Sequence, residues 1–170
     1  MMELAHQDFL FTSAEVAAAF VGFSLVVSMF KQEASPGAVR VGSLRDVAEI
    51  GLILIGGSLA PYALNSFSLE ASAVWRAASL LLVVSFAVFS AFAYRRFSKL
   101  GGPSPWRTSP LLLALTGLPS LAGNVALWWN VFAPSTASEA RYLLAILLFL
   151  GWAGVVFVFA AFRENSTPAA

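Results

Sequence analysis

Five long apolar stretches run along this chain, and short polar connectors separate them. Each stretch is continuously apolar, without the alternation of apolar and polar residues that marks a half-buried strand. A helix needs about 20 apolar residues to cross the roughly 30 Å hydrocarbon core of a bilayer, and each stretch has that length. The pattern predicts transmembrane helices at approximately 12–30, 46–67, 72–94, 110–132 and 139–162. We therefore expect an all-α, integral membrane bundle of about five helices that forms a single domain over residues 1–170.

Two connectors carry turn-forming residues. Ser35-Pro36-Gly37 follows the first stretch, and Gly101-Gly102-Pro103-Ser104-Pro105 follows the third. Because Pro and Gly clusters mark turns, we expect turns here and no soluble domain. Glu3 and Asp8 precede the first stretch, where a cleavable signal peptide carries positive charge, so we expect the first helix to be retained. Any activity should then lie between the helices, at their ends or on the surface of an assembly.

The cations predict an orientation in the membrane. The chain is 59% apolar and only 11% charged, whereas soluble domains are about 25% charged. Positive residues close to a membrane are retained on its cytoplasmic side. Eight of the ten cations fall on one side of the predicted helices, namely Lys31, Arg40, Arg45, Arg95, Arg96, Lys99, Arg107 and Arg163. With five spans, this asymmetry predicts an amino terminus outside the cell and a carboxyl terminus in the cytoplasm.

The aromatic residues support this orientation. Amphipathic rings collect at the level of the lipid headgroups, and five of them lie at the predicted outer ends: Tyr62, Trp75, Trp128, Trp129 and Tyr142. Trp152 lies in the middle of the fifth stretch and does not fit such a belt.

Several function classes lack the residues that they need. The chain has no cysteine and a single histidine, His6, so it lacks the ligands of thiolate zinc sites, iron–sulfur clusters and imidazole metal sites. Its cations form short clusters and no basic stripe, which argues against nucleic-acid binding. No nucleophile elbow, phosphate-binding loop or pair of intramembrane aspartates is present. We predict a protein that is not an enzyme and has no cofactor.

Glu15 and Glu49 are the ionisable residues to weigh inside the stretches, where such groups are costly. Their surroundings repeat, because Gly22 and Ser24 follow Glu15 at the same spacing as Gly56 and Ser58 follow Glu49. This repeat is compatible with an inverted repeat of the kind found in transporters. Alternatively, the pairs Thr12/Glu15, Asp46/Glu49 and Thr136/Glu139 have the spacing of helix capping boxes. For Glu49 we favour a cap that also pairs with Arg45; Glu15 remains open between a cap and an ion- or proton-coupling group.

The second and fourth stretches contain helix-breaking residues. Gly56, Gly57 and Pro61 lie in the second, and Pro119, Gly123 and Asn124 lie in the fourth. Proline removes one backbone donor, so these residues predict kinks, and paired broken helices point to a transport site. Asn124 is therefore a candidate ion- or proton-coupling residue. The alternative is a simple hydrogen bond from Asn124 to a neighbouring helix.

Small residues recur on one face of the first two helices. Ala14, Ala18 and Gly22 follow one another at four-residue spacing, as do Gly56 and Ala60. Small residues allow helices to approach closely in lipid. We predict helix packing at these five positions, within the chain or between subunits, and a homo-oligomer.

Two resemblances can be stated on these motifs. Glu15, Gly22-Phe23, Pro61 and Trp75-Arg76-x-x-Ser79 together resemble a group of small multi-pass bacterial membrane proteins whose function is not characterised, which implies the bacterial inner membrane. Ser13-Ala14-Glu15-Val16 is similar to the start of the small multidrug resistance family, which exchanges protons for cationic drugs through a first-helix glutamate. That likeness implies coupling at Glu15, although the family has four spans and a lysine that is missing here.

The sequence thus supports two functional hypotheses. The first is a non-enzymatic membrane protein, with the lipid bilayer and further copies of itself as partners, that acts as a structural or interaction subunit or as a simple oligomeric pore. The second is a proton- or ion-coupled carrier of small solutes in which Glu15 titrates and the second and fourth helices line the path.

Overall fold

The computed structural model describes residues 6–34, 38–99 and 110–162, and their regular secondary structure is entirely α-helical. The five helices are α1 (Gln7–Ala34), α2 (Ala38–Asn65), α3 (Ala71–Lys99), α4 (Pro110–Phe132) and α5 (Ser138–Phe162). Consecutive helices run in opposite directions. The bundle therefore has one end that contains the starts of α1, α3 and α5, which we call the His6 end. The opposite end, with the starts of α2 and α4, is the Arg96 end.

The helices of the first half are longer than the apolar stretches predict. α1 begins at Gln7 rather than near residue 12, and α2 begins at Ala38 rather than near residue 46. An apolar-length criterion finds only the part of a helix that suits the bilayer core, whereas backbone hydrogen bonding continues through polar residues beyond it. α4 has the predicted bounds. The predicted turns at 35–37 and 101–105 lie outside the described residues.

The capping-box predictions are therefore wrong. Thr12 and Asp46 are both in helix interiors and cannot serve as N-caps. At the start of α5 the cap is one residue earlier than predicted: Ser135 Oγ accepts from the Ala137 amide at 3.2 Å, and the Ser135 amide donates to Ser138 Oγ at 2.9 Å. Thr136 is not the capping residue.

Four helices in the described part of the chain are long and apolar enough to cross a membrane. The apolar segments are Gln7–Phe30, Leu44–Asn65, Ala71–Arg96 and Ser138–Ala161. α4 is not among these four helices.

α5 lies at the centre of the bundle and contacts each of the other four helices. Its inward face repeats at helical spacing, and the side chains there are fully buried: Tyr142, Ala145, Ile146, Phe149 and Ala153. The Phe149 ring stacks on Phe86 of α3 with a centroid distance of 4.2 Å. Trp152 packs against the same two rings at 6.0 and 6.4 Å. This aromatic cluster explains why a tryptophan lies at mid-helix rather than in a headgroup belt.

Glycines mark the closest approaches between helices. A Cβ atom at Gly51 would lie 2.6 Å from Val21 Cγ2 and 3.1 Å from the Ala17 carbonyl oxygen, so α1 and α2 pack with almost no space between their backbones. A Cβ at Gly57 would similarly lie 2.8 Å from Leu82 Cδ1 of α3. Small residues therefore do mediate helix packing here, as expected in lipid.

The five positions predicted for helix packing divide into two groups. Ala14 and Ala60 are buried inside the bundle. Ala18, Gly22 and Gly56 are exposed, and a Cβ at either glycine would meet nothing within 4 Å in the described chain. The latter three residues do not mediate packing between helices of one chain, and contact with a second subunit stays a prediction for them.

Candidate functional site

Four charged side chains form one cluster between α2 and α3 near the Arg96 end. Arg96 donates from Nη1 to Glu49 Oε1 at 2.8 Å and from Nη2 to Glu49 Oε2 at 2.7 Å. The same Nη2 lies 2.8 Å from Asp46 Oδ1. Arg45 completes the cluster by donating from Nε to Glu49 Oε1 at 2.8 Å. Two carboxylates and two guanidiniums therefore neutralise one another between α2 and α3.

The cluster follows from helix geometry. Asp46 and Glu49 are three residues apart and so lie on one face of α2, while Arg45 is four residues before Glu49. Because α2 and α3 are antiparallel, the start of one apolar segment faces the end of the other, where Arg96 lies. The predicted Arg45–Glu49 pair is confirmed. The sequence analysis did not predict Arg96 as a partner of Glu49 and Asp46. The signal was present, because Arg95 and Arg96 end the third apolar stretch on the same side as these two acids.

A cavity of about 640 Å³ adjoins this cluster, between α4 and the rest of the bundle. Among the described residues, α4 contacts α3 and α5 but not α2, which leaves room on its inner side. Seven α4 residues line the cavity along one side of that helix: Thr116, Gly117, Ser120, Leu121, Asn124, Val125 and Trp128. At 1.5 Å per residue these residues span about 18 Å.

The cavity lining combines apolar walls with a few polar groups. Phe89 of α3 and Trp152 of α5 form part of the walls. Asp46 contributes the only ionisable side chain among the lining residues, and that side chain is 13% exposed. Asn124 Nδ2 donates to the Ser120 carbonyl oxygen at 2.8 Å within α4. A mostly apolar pocket with few, directed polar groups is typical of small-molecule sites.

A second cavity, of about 530 Å³, lies on the other side of the ion cluster, between α2 and α3. Arg45, Glu49 and Arg96 line its charged part, and Phe89 separates it from the first cavity by lining both. Its remaining lining is nearly all apolar: Leu52, Ile53, Val88 and Phe92, with Ser85.

The structure separates the two candidate coupling residues. Asn124 lines the 640 Å³ cavity, whereas Glu15 is exposed on α1 and lines neither cavity. Glu15 lies eight residues, or about 12 Å, beyond the start of α1. It shares the outer face of α1 with Ala18 and Gly22, because spacings of three and seven residues lie on one side of a helix.

The repeated motifs of α1 and α2 occupy similar environments. Gly22 and Gly56 both face open space, and Ser24 and Ser58 are both buried with hydroxyl groups that have no hydrogen-bond partner in the described part of the chain. Glu15 and Glu49 differ, because within residues 6–34, 38–99 and 110–162 only Glu49 of the two forms ion pairs.

Neutral hydrogen bonds link the helices at the His6 end. The Tyr142 hydroxyl donates to the Gly57 carbonyl oxygen at 2.6 Å. Asn130 Nδ2 donates to Ser79 Oγ at 3.2 Å and to the Ser138 carbonyl oxygen at 2.8 Å, and so connects α3, α4 and α5. In the sequence, Asn130 is a polar residue within an apolar stretch. It belongs to no recognisable motif, so the sequence alone did not predict that it links three helices.

Comparison of the chain with protein-family models, curated proteins and solved structures finds no match. Across residues 6–34, 38–99 and 110–162, His, Asp and Glu form no group of three that could hold a metal ion. The described side chains in and beside the 640 Å³ cavity form hydrogen bonds and ion pairs.

Proposed function

We propose that this chain is a non-enzymatic membrane protein that accepts a small solute or ion in the 640 Å³ cavity and passes it across the bilayer. The supporting observation is that three polar residues of α4, Thr116, Ser120 and Asn124, line a cavity. Polar groups inside a membrane usually face other helices or a water-filled path. In this proposal Asp46 and Asn124 contact the solute, and Glu15 does not.

α4 is the fifth membrane span in this proposal. Its 23 residues would extend about 34 Å, enough for a hydrocarbon core of roughly 30 Å. Its polar residues Thr116, Ser120 and Asn124 line the cavity, which is compatible with a span shielded from lipid on that side. We also propose the bacterial inner membrane, with the amino terminus outside and the carboxyl terminus in the cytoplasm, because of the distribution of the cations.

Cysteine accessibility tests this function, and the chain contains no native cysteine. Ser120→Cys, in the cavity lining, should react with a membrane-impermeant trimethylammonium methanethiosulfonate. The matched control is Leu118→Cys on the same helix, because Leu118 is 64% exposed outside the cavity and would face lipid. It should stay unmodified. A path requires reaction from both sides of the membrane, measured in right-side-out and inverted vesicles.

Charge selectivity extends the same experiment. Asp46 should make the cationic reagent react faster than its sulfonate counterpart, and Asp46→Asn should remove the difference. If Ser120→Cys reacts from neither side, the proposal fails; reaction from one side only would leave a binding pocket without transport.

A second candidate function is a self-assembling structural or interaction subunit, or an oligomeric pore. The observation that favours it is the outer face of α1, where a carboxylate and two small residues point away from their own bundle. Intramembrane carboxylates rarely face lipid, and a second copy of α1 would cover Glu15.

Crosslinking tests assembly directly. Gly22→Cys should form a disulfide-linked dimer in membranes, whereas Leu81→Cys, an exposed position on α3, should not. Glu15→Gln should weaken the oligomer measured by mass in lipid nanodiscs. A monomer in nanodiscs together with no Gly22→Cys dimer would exclude this function.

A further inference from the structure

The 530 Å³ cavity between α2 and α3 has a charged end and an apolar end. Arg45, Glu49 and Arg96 line the charged end. From Arg45 to Ile53 along α2 the groove measures about 12 Å, and from Arg96 to Ser85 along α3 about 16 Å. Leu52, Val88 and Phe92 along it are 60%, 50% and 58% exposed, so the groove is open to the surroundings of the bundle.

Different members of the ion cluster line the two cavities. Asp46 alone among the four lines the 640 Å³ cavity, while the other three line the groove. The four charges of the cluster sum to zero, because Asp46 Oδ1 lies 2.8 Å from Arg96 Nη2. Arg45 is the most exposed of the four side chains. Both oxygens of Glu49 already accept from arginines, whereas Arg45 donates to Glu49 through Nε and its side chain is 67% exposed. A guanidinium has five N–H donors, so Arg45 retains donors for an anion.

The charged end also matches headgroup depth in the predicted spans. Arg45 and Arg96 flank the apolar stretches 46–67 and 72–94 that the sequence predicts as membrane spans, so we expect both guanidiniums near headgroup level. The exposed apolar side chains lie deeper along the same groove. A ligand that fits has an anionic group joined to a hydrocarbon chain. The charged and apolar ends of the groove are arranged like the headgroup and acyl regions of a bilayer.

We propose that this groove is a binding site for an anionic phospholipid. The phosphate contacts Arg45 and Arg96, and one acyl chain lies along Leu52, Val88 and Phe92. Basic pockets between membrane helices recognise lipid headgroups in this way, and arginine suits phosphate because it donates several parallel hydrogen bonds. A zwitterionic lipid offers less charge to the groove, and a soluble phosphate makes no use of its apolar part. The inference does not depend on the proposed transport, because the two cavities are separate.

Lipid titration with native mass spectrometry tests this site on the full-length protein. Phosphatidylglycerol should bind more tightly than phosphatidylcholine with the same acyl chains. Arg45→Gln should weaken phosphatidylglycerol binding about fivefold, as expected for one cation at an anionic headgroup. Arg45→Lys should retain most of the preference.

Two controls distinguish binding in this groove from nonspecific attraction between the cations of the protein and anionic lipid. Arg95→Gln makes the same charge change at the next residue to Arg96, outside the groove, and should leave the lipid preference unchanged. Val88→Trp should fill the apolar part and weaken both lipids. Equal effects of Arg45→Gln and Arg95→Gln would overturn the proposal. So would competition by millimolar glycerol phosphate, which would assign the arginines to a soluble anion.

Discussion

α5 and α4 are neighbouring helices, yet they pack in the bundle in opposite ways. α5 contacts all four other helices, and its inner face is filled by large apolar side chains without exposure. α4 contacts only α3 and α5 among the described helices, and its inner face places the polar Thr116, Ser120 and Asn124 among apolar residues beside a cavity. The difference shows that apolar composition alone does not place a helix at the centre of a membrane bundle.

Shape complementarity explains the difference. In lipid, helix association depends on close packing and hydrogen bonding, since the lipid tails are as apolar as the helices. α5 offers closely fitted rings, as at Phe149 on Phe86. α4 fits this core at Gly123, where a Cβ would lie 2.9 Å from Phe149 Cζ. Elsewhere on its inner side α4 stands away from α2, and that separation creates the cavity.

The largest effect should come from the centre of α5. Phe149→Ala removes the ring that packs on Phe86, Trp152 and Gly123, and should destabilise the fold by about 2–3 kcal/mol. This is below the roughly 3–5 kcal/mol of soluble cores, because separated helices remain in lipid and only packing is lost. Unfolding in mixed micelles with increasing SDS measures it. Leu147→Ala, at a 51% exposed position on α5, is the control; equal losses for the two variants would contradict the central role of α5.

A smaller effect is expected where α4 meets α5. Gly123→Ala places a methyl group against the Phe149 ring and should cost about 1–2 kcal/mol. Gly117→Ala, which meets nothing within 4 Å, should be neutral or slightly stabilising because alanine favours helix over glycine. Phe149→Leu in the Gly123→Ala background should recover part of the loss. Similar stabilities of the two alanine variants would show that α4 does not pack on Phe149.

The smallest effect should follow removal of one hydrogen bond between α5 and α2. Tyr142→Phe deletes the hydroxyl that donates to the Gly57 carbonyl oxygen, and should cost about 1 kcal/mol, the usual value of such bonds in membrane proteins. The same SDS titration measures it, with Tyr62→Phe as the control at an exposed position. A loss at Tyr62 as large as at Tyr142 would argue against this link.

Part of the candidate site was readable from the sequence. The pair Arg45–Glu49 follows from a four-residue spacing on a single helix, and Asn124 was singled out as a polar residue in the fourth stretch. Arg96 and Asp46 were missed as partners because they are 50 positions apart and meet only when α2 and α3 pack antiparallel. Glu15 was the leading coupling candidate, yet helix rotation places it on the outer surface.

The sequence by itself determined that five helices form, each around a long apolar stretch. Continuously apolar segments in a membrane must satisfy every backbone group internally, and helices do so within one segment. Tertiary structure alone decided which face of each helix turns inward. Ala17 is buried against Gly51 while its neighbour Ala18 is exposed, because in lipid the choice between two similar apolar faces depends on the fit of side chains from other helices. The same fit brought Asp46 and Arg96 together and left the cavity beside them.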